Sequence, residues 1–584
     1  MVSVAGDRRS GIAASSGGNM HSFDSDPSVI VTDTRGQRVH KRALEQSARM
    51  ARKLYEVRPG VWTLIGNGLS NQTFIEAPEG IIAIDTGDSI EEMQSALREL
   101  RTRTKAPLAA VMYTHFHYVG GTRAAFAEAG RDLPVYGHER IMLNLSRVTS
   151  EIAPAYVSGV AHQFGLFLPQ DGPDGIVNVG LSLLCLNMDH APFTLGFVPP
   201  TNLLRGGETL NVAGLKVEVM HAPSDADDSV TFWFPELGVC VQNIVWPTLF
   251  NIFAIRGEDY RDPQVLLTGI DHVLSLKADH LLGTHGPPIS GAADIAARVT
   301  RYRDSIQFIW DQTIRGMNQG LTADQMAHTI HLPEACDRDY LTTEFYGVVE
   351  HHVRQIASGV RGWFDGDTEK LFPLEPSDRA NRLLNGFGGA SRVRELVAEA
   401  RAGNDLRWAL ELASWLIKRS GADAEDNKLL ADVLRDIAYR STAANIRNWC
   451  LMRAHFLDGS LDQTFMQILL QRDHERLTLT PRQALHMLRV LLDPVAAEGI
   501  DLHIGIAFSD GTKAGLHLRN SVSVATDGEG AGPTMALSYA DLDAMIHGSL
   551  KLDEAIAAGK VQITGDAVAV RRALACFDVP AFKV

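Results

Sequence analysis

Residues 111–121 read VMYTHFHYVGG, an apolar run that closes on two histidines and then on a pair of glycines. With LAAVMYTH (108–115) taken as a strand, the i, i+2 spacing of His115 and His117 places both imidazoles on one side of an extended chain end. Upstream, IIAIDTGD (81–88) puts Asp85 in the turn after a buried strand. Downstream, HAPSD (221–225) and GTHGPP (283–288) bring Asp225 and His285 to the ends of two more strands. Five polar residues at four successive strand ends match the way sites are assembled in layered α/β proteins.

The pattern around this loop repeats. VWTLIGNGLSNQTFIEA (61–77) and IIAIDTGD alternate short apolar runs with turn signals, EEMQSALRELRTRT (91–104) takes helical period, and strands return at 214–225, 229–243 and 279–288. Strand, strand, helix, strand order predicts an α/β sandwich over 56–300. Ahead of it, residues 1–55 read as a polar tail and a lead-in helix carried by HKRALEQSARMARKLYEV (40–57). From 301 to 460 the texture changes to long amphipathic helices, among them LRWALELASWLIKRSG (406–421) and AANIRNWCLMRAHFLDG (443–459). Residues 461–584 mix types: LHIGIAFSDGTKAGLHLRNSVSVATD (502–527) predicts a hairpin about Asp510-Gly511, and helical segments surround it.

Composition narrows the function. A chain of 584 residues exceeds one core, and 45% hydrophobic with 21% charged residues describes a globular protein. A net charge of −15 without a Lys/Arg block argues against a nucleic-acid partner. No apolar run is long enough for a membrane span, so no stable membrane insertion is expected. Five cysteines at long irregular spacings predict reduced thiols and a cytoplasmic location.

Taken in order, IDTGD, THFH, HAPSD and THGPP resemble the metallo-β-lactamase fold, an αββα sandwich. HQFGLFLP (162–169), NIFAIRGEDYRD (251–262), EFYGVVEHHVRQ (344–355) and GWFDGDTEKLFPLEP (362–376) are similar to one subgroup, the alkylsulfatases of the SDS-hydrolase type. That resemblance implies a helical dimerisation domain, hence a homodimer, and a C-terminal domain similar to sterol carrier protein. It also implies a metal-dependent hydrolase acting on an amphiphilic or aliphatic small molecule with an anionic head. Carried over residue by residue, it makes His115, His117 and Asp225 metal ligands, with Asp225 standing where the family has a glutamate. Arg256 aligns with an arginine that contacts the sulfate group. Tyr346 and His351 align with polar residues directed at the site, and His285 survives from the second metal position.

The family follows His-x-His with x-Asp-His-x-Gly-Gly, whereas only Tyr118 and Val119 separate His117 from Gly120-Gly121 here. Anchoring instead on the glycines turns the Asp and His into His117 and Tyr118, and the second site is still lost. The family's bridging acid falls near Asn243, a neutral amide. One divalent ion is therefore expected, zinc first and iron(II) as the alternative. Two other readings stand beside hydrolysis: iron-dependent oxidation on the same fold, and a catalytically inactive dimeric lipid-binding scaffold.

Overall fold

The computed structural model describes residues 22–148, 152–461 and 481–583. A two-stranded ribbon, β1 (Ile30–Thr32) and β2 (Arg38–His40), precedes the helix Lys41–Arg49. The helix expected over 40–57 stops there, and Lys53–Arg58 is instead strand β3. Its backbone pairs antiparallel with β4 (Val61–Ile65), so sheet pairing overrides the helical reading.

The first sheet continues through β5 (Gln72–Ala77), β6 (Gly80–Ile84), β7 (Leu108–Met112), β8 (Val135–His138) and β9 (Asn202–Leu204), in sequential order. It begins as an antiparallel meander and turns parallel from β6 onward. GIIAI and LAAVM are buried at every position, as strands covered on both faces require. A second sheet runs β10 (Thr209–Val212), β11 (Leu215–His221), β12 (Val230–Phe234), β13 (Val239–Gln242), β14 (His280–Gly283) and β15 (Ile289–Ser290). Ile75, Ile82, Ile84 and Met112 of the first sheet pack against Val217, Val219, Phe232 and Val241 of the second, forming the middle of the expected αββα sandwich. Asp262 caps the helix Pro263–Ser275, whose Leu266, Ile270 and Val273 cover the second sheet beside Val299 and Ile306 of Ala292–Asn318.

Among the described residues two compact units emerge, one drawn from 1–144 and 156–474, the other from 145–155 and 475–584. In the first, helices Leu406–Lys418, Ala424–Ala438 and Ala444–Asp458 bury Leu412, Leu416, Leu434 and Ala454 in a core of their own. Sandwich residues Cys240 and Leu281 share a core with Tyr346, Val353 and Met452 of the helical stretch, so sandwich and helices are continuous. The second unit holds β16 (Leu502–Phe508), β17 (Lys513–Arg519), β18 (Val522–Thr526), β19 (Thr534–Leu537) and β20 (Gln562–Thr564), in the order β18-β17-β16-β19-β20. The expected Asp-Gly hairpin is β16–β17. Its partners in the core include Met545 and Leu574 from helices Tyr539–Ile546 and Ala567–Leu574. All five cysteines are free.

Candidate functional site

Two loops at the strand ends lock together before any ligand is placed. Gly120 N donates to Gly87 O and Thr86 N to Tyr118 O, both at 2.9 Å. A Cβ on Gly121 would lie 2.2 Å from Thr86 O, and one on Gly120 would lie 2.5 Å from Asp88 O, so the glycines are required by close backbone approach. Asp85, after β6, takes a left-handed conformation with φ 56°. Its carboxylate accepts from Thr114 N at 2.8 Å and from Thr114 Oγ1 at 2.7 Å. Burial pushes that carboxyl up to about 7.

Because the Thr114 hydroxyl proton goes to Asp85, Thr114 Oγ1 is left to accept from His115 Nδ1 at 2.9 Å. With the proton on Nδ1, the Nε2 lone pair of His115 is turned into the site. His115 is extended (φ −168°, ψ −176°), but Phe116–Tyr118 form a single 3-10 turn. The two histidines are thus not on one extended strand end as expected; the turn swings His117 back so that its Nδ1 lies 3.0 Å from His115 Nε2. Asp225 Oδ2 lies 3.1 Å from His117 Nδ1 and 3.7 Å from His115 Nε2. Asn243 Nδ2 donates to Asp225 Oδ1 at 2.7 Å, and Trp246 Nε1 in turn donates to the Asn243 carbonyl at 3.0 Å.

His115, His117 and Asp225 converge within 4.8 Å and are the one such group among the described residues. Two imidazole nitrogens at 3.0 Å facing a carboxylate form a donor set that fits a divalent cation. The electrostatics agree. Burial drives His115 down to about 3. Burial also opposes charge on His117, yet the Asp225 and Glu258 carboxylates hold it up at about 9, so a proton is retained where a cation would otherwise serve. Against the same burial, His115 and His117 keep Asp225 ionised well below the usual carboxylate range.

His285 Nδ1 donates to Leu69 O at 3.0 Å, leaving Nε2 to face the Tyr118 hydroxyl at 3.3 Å. Burial lowers this imidazole to about 4, and burial with the Asp225 charge keeps the Tyr118 phenol protonated. Tyr346 is one ring further out. It packs on Trp246 with centroids at 5.9 Å, Trp246 packs on His285 at 5.6 Å, and the Tyr346 hydroxyl accepts from Gln163 Nε2 at 2.7 Å. His351 is set edge-on to Phe253 at 5.7 Å, and the charges around it are Glu350, Arg354 and Arg407 rather than the triad. His221 donates from Nε2 to Asp227 O at 2.7 Å and stacks on His138.

Arg256 does not stand free for an anion. Its Nη2 donates to Glu258 Oε1, Arg261 Nη2 donates to Glu258 Oε2, and Glu258 Oε1 lies 3.4 Å from His117 Nε2. Glu258 and Arg261 escaped the sequence reading. The only signal was the density of charge in RGEDYRD, which does not say which pairs close on one another.

Known proteins bear on this site. Family descriptions match at residues 322–459, alkyl sulfatase dimerisation, and at 476–583, alkyl sulfatase C-terminal. A linear primary-alkylsulfatase from Pseudomonas sp. (strain ATCC 19151) is 32% identical over 524 residues, covering 86% of this chain and 98% of the relative. An (R)-specific secondary-alkylsulfatase from Pseudomonas sp. is 27% identical, covering 88% of this chain and 79% of its own. The solved structure of the stereoselective inverting sec-alkylsulfatase Pisa1 from Pseudomonas sp. superposes with TM-score 0.80 at 25% identity, covering 94% of this chain and 91% of that one. Identity of 32% along 98% of a linear primary-alkylsulfatase, together with the two matched family descriptions and the sandwich described above, places this chain in the alkylsulfatase family of the metallo-β-lactamase fold.

Proposed function

We propose that the protein hydrolyses sulfate esters of aliphatic alcohols with one divalent cation held by His115, His117 and Asp225. The observation that carries this reading is the convergence of His115 Nε2, His117 Nδ1 and Asp225 Oδ2. A divalent cation in such a set supplies Lewis acidity and makes water acidic near neutral pH. The chain's own groups do the rest. Asp85 and Thr114 orient His115, and Asn243 orients Asp225 while leaving Oδ2 turned to the histidines. Tyr118 keeps its proton and presents a hydroxyl at the site, backed by the neutral His285. Phe164, Trp246 and Phe250 share a core with Tyr118, so the surroundings of the site are apolar.

Zinc is the favoured ion, since two imidazoles and one carboxylate with an open position match catalytic zinc; iron(II) is the alternative for the same ligands. The helical stretch 301–460 is assigned to homodimer formation, in keeping with its matched description, with the sandwich at 56–300, the tail and lead-in at 1–55 and the C-terminal domain at 461–584. Five free thiols fit a cytoplasmic setting. Among the described residues, no helix is long and apolar enough to cross a membrane.

Elemental analysis of the purified protein alongside sulfate release from dodecyl sulfate tests the proposal. One zinc per chain with turnover abolished by chelation is expected. Two zinc ions per chain overturn the mononuclear site, and a metal-loaded protein that releases no sulfate from any primary or secondary alkyl ester overturns the activity.

A further inference from the structure

Beside the triad lie two buried guanidiniums and a single carboxylate. Side chains of Arg256, Arg261 and Glu258 are 7%, 2% and 9% exposed. Arg256 sits over the rings of Tyr156 and Phe164, and Arg261 over those of Trp246 and Phe250, so both cations are walled by aromatic faces. Arg261 Nη1 also donates to Asn251 O at 2.7 Å. The two oxygens of Glu258 are consumed by one Nη2 from each arginine. Arg256 Nε, Arg261 Nε and the Asn251 amide have no hydrogen-bond partner. Buried guanidinium donors without acceptors are costly, and the group holds one more positive than negative charge. The two forks therefore offer more donors than the single carboxylate accepts.

We propose that Glu258 is an internal stand-in for the anionic head of the substrate, and that it must leave Arg256 and Arg261 before a sulfate ester can engage them. A tetrahedral oxyanion offers more acceptors than a carboxylate to two planar guanidinium forks. Glu258 bridges the arginines to His117 on the rim of the triad, so the head group it mimics would arrive next to the cation. Glu258 then acts as a specificity residue. It competes with weakly held anions and is displaced only by substrates whose tails contribute enough binding.

The inference rests on the alkylsulfatase reading, and its test is run without metal so that the two fail separately. Sodium sulfate is titrated into the chelator-treated full chain while its melting temperature is followed. Wild type is expected to respond weakly, whereas E258Q and E258A bind sulfate at least about tenfold more tightly, a gain of about 1.4 kcal/mol. With metal restored, KM for dodecyl sulfate is expected to fall by a similar factor in E258Q, with a smaller change in kcat. Equal or weaker sulfate affinity in both variants overturns the proposal. If neither variant folds, wild type crystallised with a non-hydrolysable alkyl sulfonate decides: Glu258 swung clear of both arginines supports it, and Glu258 still bonded to both overturns it.

Discussion

Thr114 is a residue on which two structural tasks meet. Its amide and hydroxyl satisfy Asp85, and its oxygen accepts from His115 Nδ1. T114V keeps the shape but leaves Asp85 short of a donor and His115 Nδ1 without an acceptor. Metal affinity is expected to fall about 10–100-fold, read by chelator competition, with about 1–3 kcal/mol lost in denaturant unfolding. Asn243 supports Asp225 through a neutral donor. N243D would set two carboxylates at the 2.7 Å contact now made by the amide, so the chelated protein is expected to melt lower than wild type and to regain more stability on adding zinc. An unchanged difference in melting temperature with and without zinc would refute that. At this scale much was readable: His115, His117, Asp225 and His285 stood out because histidines and carboxylates at strand ends are conspicuous. The contacts that orient them were not: Thr114 is an unremarkable letter, and Asn243 and Tyr118 were noticed only as replacements for family ligands, not as partners of Asp225 and His285.

At the scale of elements, the site depends on two loops in backbone contact. G121A places a Cβ 2.2 Å from Thr86 O, and neither loop can yield without moving Tyr118 or Asp85. A loss of about 1–3 kcal/mol or more is expected, with weakened metal binding in the same variant; near-normal values for both would show that the loops are slack. The strands of the sandwich were legible because buried parallel strands write themselves as unbroken apolar runs, as in GIIAI and LAAVM. The misreading at 53–58 has the opposite cause. KLYEVR has no strong pattern of its own, and hydrogen bonds to β4, formed only in the tertiary context, decide its state.

Over the whole molecule, buried neutral histidines set the acid limb of stability. Burial lowers His40 and His351 to about 4 and His352 to about 3, whereas the unfolded chain titrates near 6.5. Between these values the unfolded state binds more protons, so stability rises with pH and is lost progressively as pH falls below about 6.5. His352 is 0% exposed, and its Nδ1 accepts from Phe253 N at 3.3 Å. H352Q removes one such group, and the drop in denaturant midpoint between pH 7 and pH 4.5 is expected to be smaller than in wild type. An equal drop would assign the acid sensitivity elsewhere.

The sequence by itself determined the layered α/β class and the helical and mixed modules that follow it, and it singled out His115, His117 and Asp225 as candidate ligands, because periodicity and residue chemistry are local properties of the chain. Only the tertiary structure decided how the shortened loop 115–121 still directs both histidines at Asp225, through a 3-10 turn wedged against the Asp85 loop. It also decided that Arg256 is held by Glu258 with Arg261 rather than left free. Which charges neutralise one another in a dry interior depends on distances of a few ångströms, and sequence spacing does not encode them.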